Sequence, residues 1–174
     1  SRRLRVWSAA CSTGQEPYSI AMILSEYRQQ NRFFSAGADI LATDISPTAL
    51  AQARSGEYST LAIGRGLDPV KLKKHFTELG SGRFKIDPII AADINFRALN
   101  LQDSYALLGR FDLVFCRNVL IYFSADFKRD ILTRIHATLN PGGYLLVGAS
   151  ESVHGLSDLY EMVHCRPGIL YKKI

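Results

Sequence analysis

A chain of 174 residues, 47% hydrophobic and 21% charged, has material for one folded domain with a sizeable core, which excludes a disordered arm. No apolar run approaches the roughly 20 residues of a membrane span, and the opening Ser1-Arg2-Arg3-Leu4-Arg5 lacks the apolar stretch of a secretory signal. The net charge of +5 favours an acidic partner without choosing between protein and nucleic acid. Cys11, Cys116 and Cys165 are an odd set without metal-type spacing, and they read as reduced thiols of a cytoplasmic protein.

Leu4 to Trp7 reads as a buried first strand. Ser8, Ala9, Ala10, Ser12 and Gly14 then form a small-residue turn that lets a ligand approach the backbone. Glu16-Pro17 opens an amphipathic helix through Ile20, Ile23, Leu24 and Tyr27 to about Asn31. Its start aims unpaired N–H groups and a positive dipole end at the same place. A turn of this kind at the carboxyl end of a first strand usually holds a nucleotide-type cofactor. The G-x-G-x-x-G fingerprint is absent, because Gly14 stands alone. That argues against a pyrophosphate cradle, and so against a dinucleotide dehydrogenase. It favours a cofactor with no phosphate, S-adenosylmethionine.

Asp39 to Ile45 is a second buried strand, and Ser46-Pro47 supplies an N-cap and first-turn proline for a helix through Arg54. From Ser55 to Asp93 the alternation breaks. A helix from Pro69 to Phe76 and a hairpin around Glu78 to Asp87, turned by Gly80-Ser81-Gly82, read as an insertion outside the core. Lys71, Lys73 and Lys74 read as a solvated helix face. Ile94 to Leu99, Phe111 to Cys116 and Gly143 to Ala149 are further strands. A helix from Ala125 to Leu139 lies between the last two, stopped by Asn140-Pro141-Gly142-Gly143. Arg166-Pro167-Gly168 turns a closing antiparallel hairpin. The alternation predicts an α/β fold: a doubly wound Rossmann-like sheet, mostly parallel, with a terminal antiparallel hairpin and a small inserted β-subdomain.

Candidate chemistry falls at predicted strand ends. Thr13-Gly14-Gln15-Glu16 fits a capping box, while Glu16 equally suits a carboxylate facing a cationic cofactor; spacing leaves both open. Asp44 ends the second strand, where an acid accepts from ribose hydroxyls, and Ser46 already offers the helix cap. Asn100 with Leu101 could present an amide and backbone groups to adenine, although an asparagine after a strand is by itself a turn former. Arg117 and Asn118 follow a strand directly and place polar groups at the mouth of a dry pocket. Spacing alone makes Tyr122 a core aromatic. His75, His136, His154 and His164 show no ligand spacing, and no metal is expected.

Together "SAACSTGQEPYSIAM", "ATDIS", "FDLVFCRNVLIYF" and "PGGYLLVGASES" resemble the catalytic domain of the CheR-type chemotaxis receptor glutamate methyltransferases, over nearly the whole chain. The resemblance implies methyl transfer from S-adenosylmethionine to glutamate carboxylates of chemoreceptor cytoplasmic helices, giving methyl esters and S-adenosylhomocysteine. It places Ala10, Ser12, Gly14, Glu16, Asp44, Asn100, Leu101, Arg117 and Asn118 at the cofactor, and Arg117 and Tyr122 at the transfer site. It makes the insertion, about 55–93, a three-stranded antiparallel subdomain that docks a receptor's C-terminal peptide. No nucleic-acid binding or membrane insertion is expected, and the oligomeric state is left open with a monomer favoured; the resemblance also implies a helical N-terminal domain of the family that residues 1–174 do not include. The segment Asp87 to Phe96 lacks an arginine common in the family just ahead of V-x-F. Two other functions fit the same fold. One is a cofactor-binding signalling or scaffold module without turnover. The other is a nucleic-acid methyltransferase, for which no aromatic–basic interleaving is present.

Overall fold

The computed structural model describes residues 2–174. The first strand, β1 (Leu4–Ala9), fixes the centre of the molecule. Its neighbours Val6 and Trp7 are both fully buried, yet they belong to different cores, as expected where side chains alternate across a sheet covered on both faces. Helix α1 (Gln15–Gln30) covers the Val6 face with Tyr18, Ile20, Ala21 and Met22. The chain then forms β2 (Ala38–Asp44) and α2 (Pro47–Ser55). Ser46 Oγ accepts the Ala49 amide at 3.2 Å with Pro47 in the first turn, and Gly56 closes the helix in the left-handed region at φ 63°.

The inserted segment holds β3 (Glu57–Ser59), α3 (Thr60–Ile63), α4 (Pro69–His75), β4 (Phe76–Gly80), β5 (Arg83–Ile86) and α5 (Pro88–Ala91). Its three strands make an antiparallel sheet in the order β3-β5-β4. The expectation that this insertion stands outside the core is corrected. Tyr58, Ile63, Ile86 and Ile90 are buried in one cluster with Tyr18 and Met22 of α1 and Ile40 of β2. The basic run is likewise not simply solvated. Glu26 of α1 takes Lys71 and lies 3.8 Å from Lys74 and 3.0 Å from the buried His75 ring, which latches α4 onto α1. Leu24 and Leu72 join the same apolar cluster beneath this latch.

The remaining elements are β6 (Ile94–Ala98), β7 (Phe111–Cys116), α6 (Ala125–Thr138), β8 (Leu139–Val147), β9 (Tyr160–Cys165) and β10 (Gly168–Lys173). The large sheet has the order β6-β2-β1-β7-β8-β10-β9; β10 runs antiparallel to both β8 and β9, and the other pairs are parallel. Helix α6 buries Ile131, Leu132 and Ile135 against the Trp7 face, opposite to α1. Strand β8 starts earlier than the turn residues predict. Leu139 already pairs with Phe111, after which the register shifts so that Tyr144 faces Leu113. Asn140-Pro141-Gly142-Gly143 is therefore a bulge within the strand rather than a loop before it.

Two crossovers of opposite direction start at β1 and β7, which are hydrogen-bonded neighbours. Strand order reverses between them. A crevice outside the carboxyl ends of these two strands is where an open α/β sheet binds its ligand.

Candidate active site

The loop leaving β1 turns sharply. Ala10 (φ 57°), Ser12 (φ 51°) and Gly14 (φ 94°) all adopt left-handed backbone, and Asn118 beyond β7 does so as well at φ 57°. Three of the four non-glycine residues with positive φ among the described residues thus gather at the two switch-point strands. Each such residue costs on the order of 1–3 kcal/mol, a strain that concentrates at functional sites. Gly14 has a second requirement, because a Cβ there would lie 2.9 Å from Ala53 Cβ and 3.0 Å from the Tyr58 hydroxyl.

Gly14 itself is the N-cap of α1, without a side-chain cap, and Thr13 Oγ1 donates to Gln15 Oε1 at 2.6 Å. This overturns the capping-box reading of Glu16. Its carboxylate instead accepts the Ser8 hydroxyl at 2.8 Å, and Arg117 Nη1 approaches at 3.2 Å. Burial raises the Glu16 carboxyl above the ordinary carboxylate range, and Ser8 and Arg117 offset that rise only in part. β1, α1 and the end of β7 therefore share one half-buried charge centre.

Asp44 sits at the neighbouring strand end. Its two oxygens accept the Ser12 amide at 2.8 Å and the Ser46 amide at 2.9 Å, while its carbonyl accepts the Leu99 amide at 3.0 Å. It thereby holds the β1 loop, the start of α2 and the exit of β6 together. Asn100 follows, with Oδ1 accepting the Gln102 amide at 3.0 Å, an Asx turn. Leu101 is buried in the core, and its carbonyl accepts from Tyr105 and Arg134.

Beyond β7, Arg117 is 42% exposed and reaches from Glu16 to the wall of an open cleft of about 870 Å³. Phe115, Gly148, Glu151, Arg166 and Tyr171 also line this cleft. The core reading of Tyr122 fails. A one-turn 3₁₀ helix, Leu120–Tyr122, buries Leu120 and leaves Tyr122 78% exposed. Cys11 and Cys116 are buried as small apolar side chains, and burial pushes the Cys11 thiol up to about 12.

Two supporting residues escape the sequence reading. Tyr58, from the insertion, donates its hydroxyl to the Thr13 carbonyl at 2.7 Å, and no local pattern announces a contact across 45 residues. Glu151 accepts the amides of Asn118, Leu120 and Gly148 at 2.8, 2.9 and 2.7 Å. Its only signal is a carboxylate placed soon after a strand end.

The residues present fit S-adenosylmethionine on two counts. Small side chains line the β1 loop, and the partly buried Glu16 carboxylate beside it offers an anion to a cationic group. Residues 1–169 match the family described as CheR methyltransferase, SAM binding domain. The chain is 58% identical to chemotaxis protein methyltransferase 1 of Pseudomonas aeruginosa, over 98% of this chain and 63% of that protein. It is 56% identical to chemotaxis protein methyltransferase Cher2 of Pseudomonas putida, over 98% of this chain and 62% of that protein. The chain thus spans less than two thirds of the length of these relatives. A TehB-like SAM-dependent methyltransferase from Corynebacterium glutamicum shares the fold, with a TM-score of 0.55, 15% identity, and coverage of 99% of this chain and 79% of that one. The chain belongs to the CheR methyltransferase family, and what it contributes is that family's S-adenosylmethionine-binding domain.

Proposed function

We propose that this domain transfers methyl groups to glutamate side chains of chemoreceptor cytoplasmic helices, forming methyl esters in the cytoplasm. The observation that carries the reading is the position of Arg117, which touches Glu16 on the cofactor side and lines the open cleft on the other. When bound, S-adenosylmethionine supplies an electrophilic methyl on a sulfonium and leaves as S-adenosylhomocysteine.

The chain's own residues then have separable tasks. Glu16 attracts the cationic end of the cofactor, and Asp44 accepts from ribose hydroxyls. The loop Ala10 to Gly14 gives the ligand access to the backbone, while Asn100, Leu101 and Asn118 complete the cofactor edge. A glutamate acceptor, with an ordinary pKa of about 4.3, is already ionised at neutral pH, so no residue has to act as a base. What remains is orientation and exclusion of water. Arg117 has five N–H donors, of which one meets Glu16 at 3.2 Å, so it can also hold an incoming carboxylate by a charge-assisted hydrogen bond. Exposed Tyr122 stands on the same loop, where it can pack against the receptor helix. The outer strand β4 offers an edge to which a receptor's C-terminal peptide can add as a strand.

The direct test incubates the full-length protein with methyl-labelled cofactor and receptor cytoplasmic fragments, then treats the product with base. Ester-bound label is released as methanol, whereas retained label would place the methyl on nitrogen and sink the reading. Calorimetry adds a check of the site. Asp44→Ala should weaken S-adenosylhomocysteine binding roughly tenfold or more, since hydrogen bonds to a charged acceptor are worth about 1.5–3 kcal/mol each. Unchanged affinity would remove Asp44 from the cofactor site.

A further inference from the structure

We infer that Glu151 is a positioning residue for methyl transfer, clamping the loop that carries Arg117 onto the end of β8; this rests on the role proposed above for Arg117. The loop leaves β7 at Cys116 and has no regular partner until the short turn at Leu120. Across it stands Glu151. One of its carboxylate oxygens accepts the Asn118 amide at 2.8 Å and the Gly148 amide at 2.7 Å, and the other accepts the Leu120 amide at 2.9 Å. Three main-chain donors from two loops therefore converge on one anion. Charge-assisted bonds of this kind are shorter and stronger than neutral ones.

The surroundings are built to admit this carboxylate. A Cβ on Gly148 would stand 2.5 Å from Asn118 Oδ1 and 2.6 Å from Glu151 Oε2, so the end of β8 has to be glycine for the loops to approach. Gly148 also accepts the Glu151 amide at 2.9 Å, which bends the chain back so that the side chain meets its three donors. Asn118 is left-handed at φ 57°, and in that conformation its amide donates to Glu151. Arg117 directly precedes it, and Arg117 reaches Glu16, which reaches Ser8 of β1. Glu151, Arg117 and Glu16 thus link the carboxyl ends of β8, β7 and β1 in one chain of contacts. A carboxylate that fixes the backbone next to Arg117 fixes where the guanidinium can present itself to the cleft, and its own oxygens are taken up by the three amides.

The experiment compares wild type with Glu151→Ala and Glu151→Gln in the full-length protein. It reads amide hydrogen exchange, S-adenosylhomocysteine affinity, and kcat and KM for ester formation on receptor fragments. In Glu151→Ala, exchange at Asn118, Leu120 and Gly148 should accelerate by roughly tenfold or more, because the amides lose their acceptor. kcat should fall about tenfold, with KM and cofactor affinity within about threefold, as expected when geometry rather than binding is lost. Glu151→Gln should fall between, because its one oxygen can keep the shared Asn118 and Gly148 amides while its NH₂ faces Leu120. A folded Glu151→Ala with unchanged kcat would overturn the proposal. So would losses in kcat, KM and affinity that track melting temperature, with no recovery in Glu151→Gln. Rapidly exchanging Asn118 and Leu120 amides in the wild type would count against the clamp alone. Absence of methyl ester from the wild type would count against the functional reading alone.

Discussion

Helix α1 carries two glutamates that the protein treats in opposite ways. Glu16, in the first turn, lies at the carboxyl edge of the sheet, where burial raises its carboxyl despite Ser8, Arg117 and the favourable helix dipole. Glu26, near the other end, is held down to about 2 by hydrogen bonds from Lys71 and His75 and by the charges of Lys71 and Lys74. Lys71, Lys74 and His75 gather at one end of the helix, and Arg117 approaches the other. Structural ion pairing satisfies a carboxylate. A binding site leaves it short of positive charge until a ligand arrives. Under the proposed function, the contrast suits Glu16 to a cationic ligand and Glu26 to an ion pair.

The largest effect should come from Arg117, the cation that approaches Glu16. Arg117→Ala should lower ester formation by about a hundredfold if the guanidinium orients the incoming carboxylate, since small misplacements of reacting groups cost that much. S-adenosylhomocysteine affinity should change by less than about threefold, because the added cofactor charge no longer competes with Arg117 for Glu16. A parallel fall in rate and affinity would move Arg117 into the cofactor shell and weaken the comparison. Glu16→Gln should act the other way round. It keeps the shape and a partner for Ser8 but loses the charge, so cofactor affinity should drop roughly tenfold, the lower end for a hydrogen bond to a charged group. Glu26→Gln, titrated in the same calorimeter, should bind as the wild type does. Equal losses at both glutamates would erase the distinction between a functional and a structural end.

The parts of this arrangement that the sequence makes legible are those governed by local rules. Apolar runs announced the core strands. Ser46 before Pro47 announced α2 through capping chemistry, and the lone Gly14 announced a turn unsuited to pyrophosphate. Strand-end position singled out Asp44, motif resemblance raised Glu16 and Arg117, and the fold brings all three to the carboxyl edge of the sheet. Contacts between distant segments were not legible. Lys71 looked solvated because its partner Glu26 lies 45 residues earlier, and the hydroxyl of Tyr58 meets the Thr13 carbonyl only after the small sheet has packed on α1. Ile86 looked like part of a detached hairpin, yet it is 3% exposed, because strand alternation cannot say which face another element will cover. Tyr122 failed in the opposite sense. Its spacing among apolar residues assigned it to the core, and the 3₁₀ turn leaves it exposed.

The smallest effect belongs to the latch itself, and pH gives its signature. Glu26 has a folded pKa of about 2 against an ordinary 4.5, so the folded state favours its ionised form. Its contribution to stability is therefore fully present above about pH 4.5 and is lost as pH falls toward 2. Glu26→Gln cannot titrate. The stability difference between wild type and variant, measured by denaturant unfolding, should be greatest near neutral pH and shrink steadily through that acidic window. Because Lys71, Lys74 and Glu26 are all partly exposed, the full difference should not exceed about 1 kcal/mol and should diminish with added salt. A difference that persists unchanged to the acid end would mean that α4 rests on α1 through Leu24, Leu72 and their neighbours alone, and that the charges around Glu26 decorate the contact without holding it.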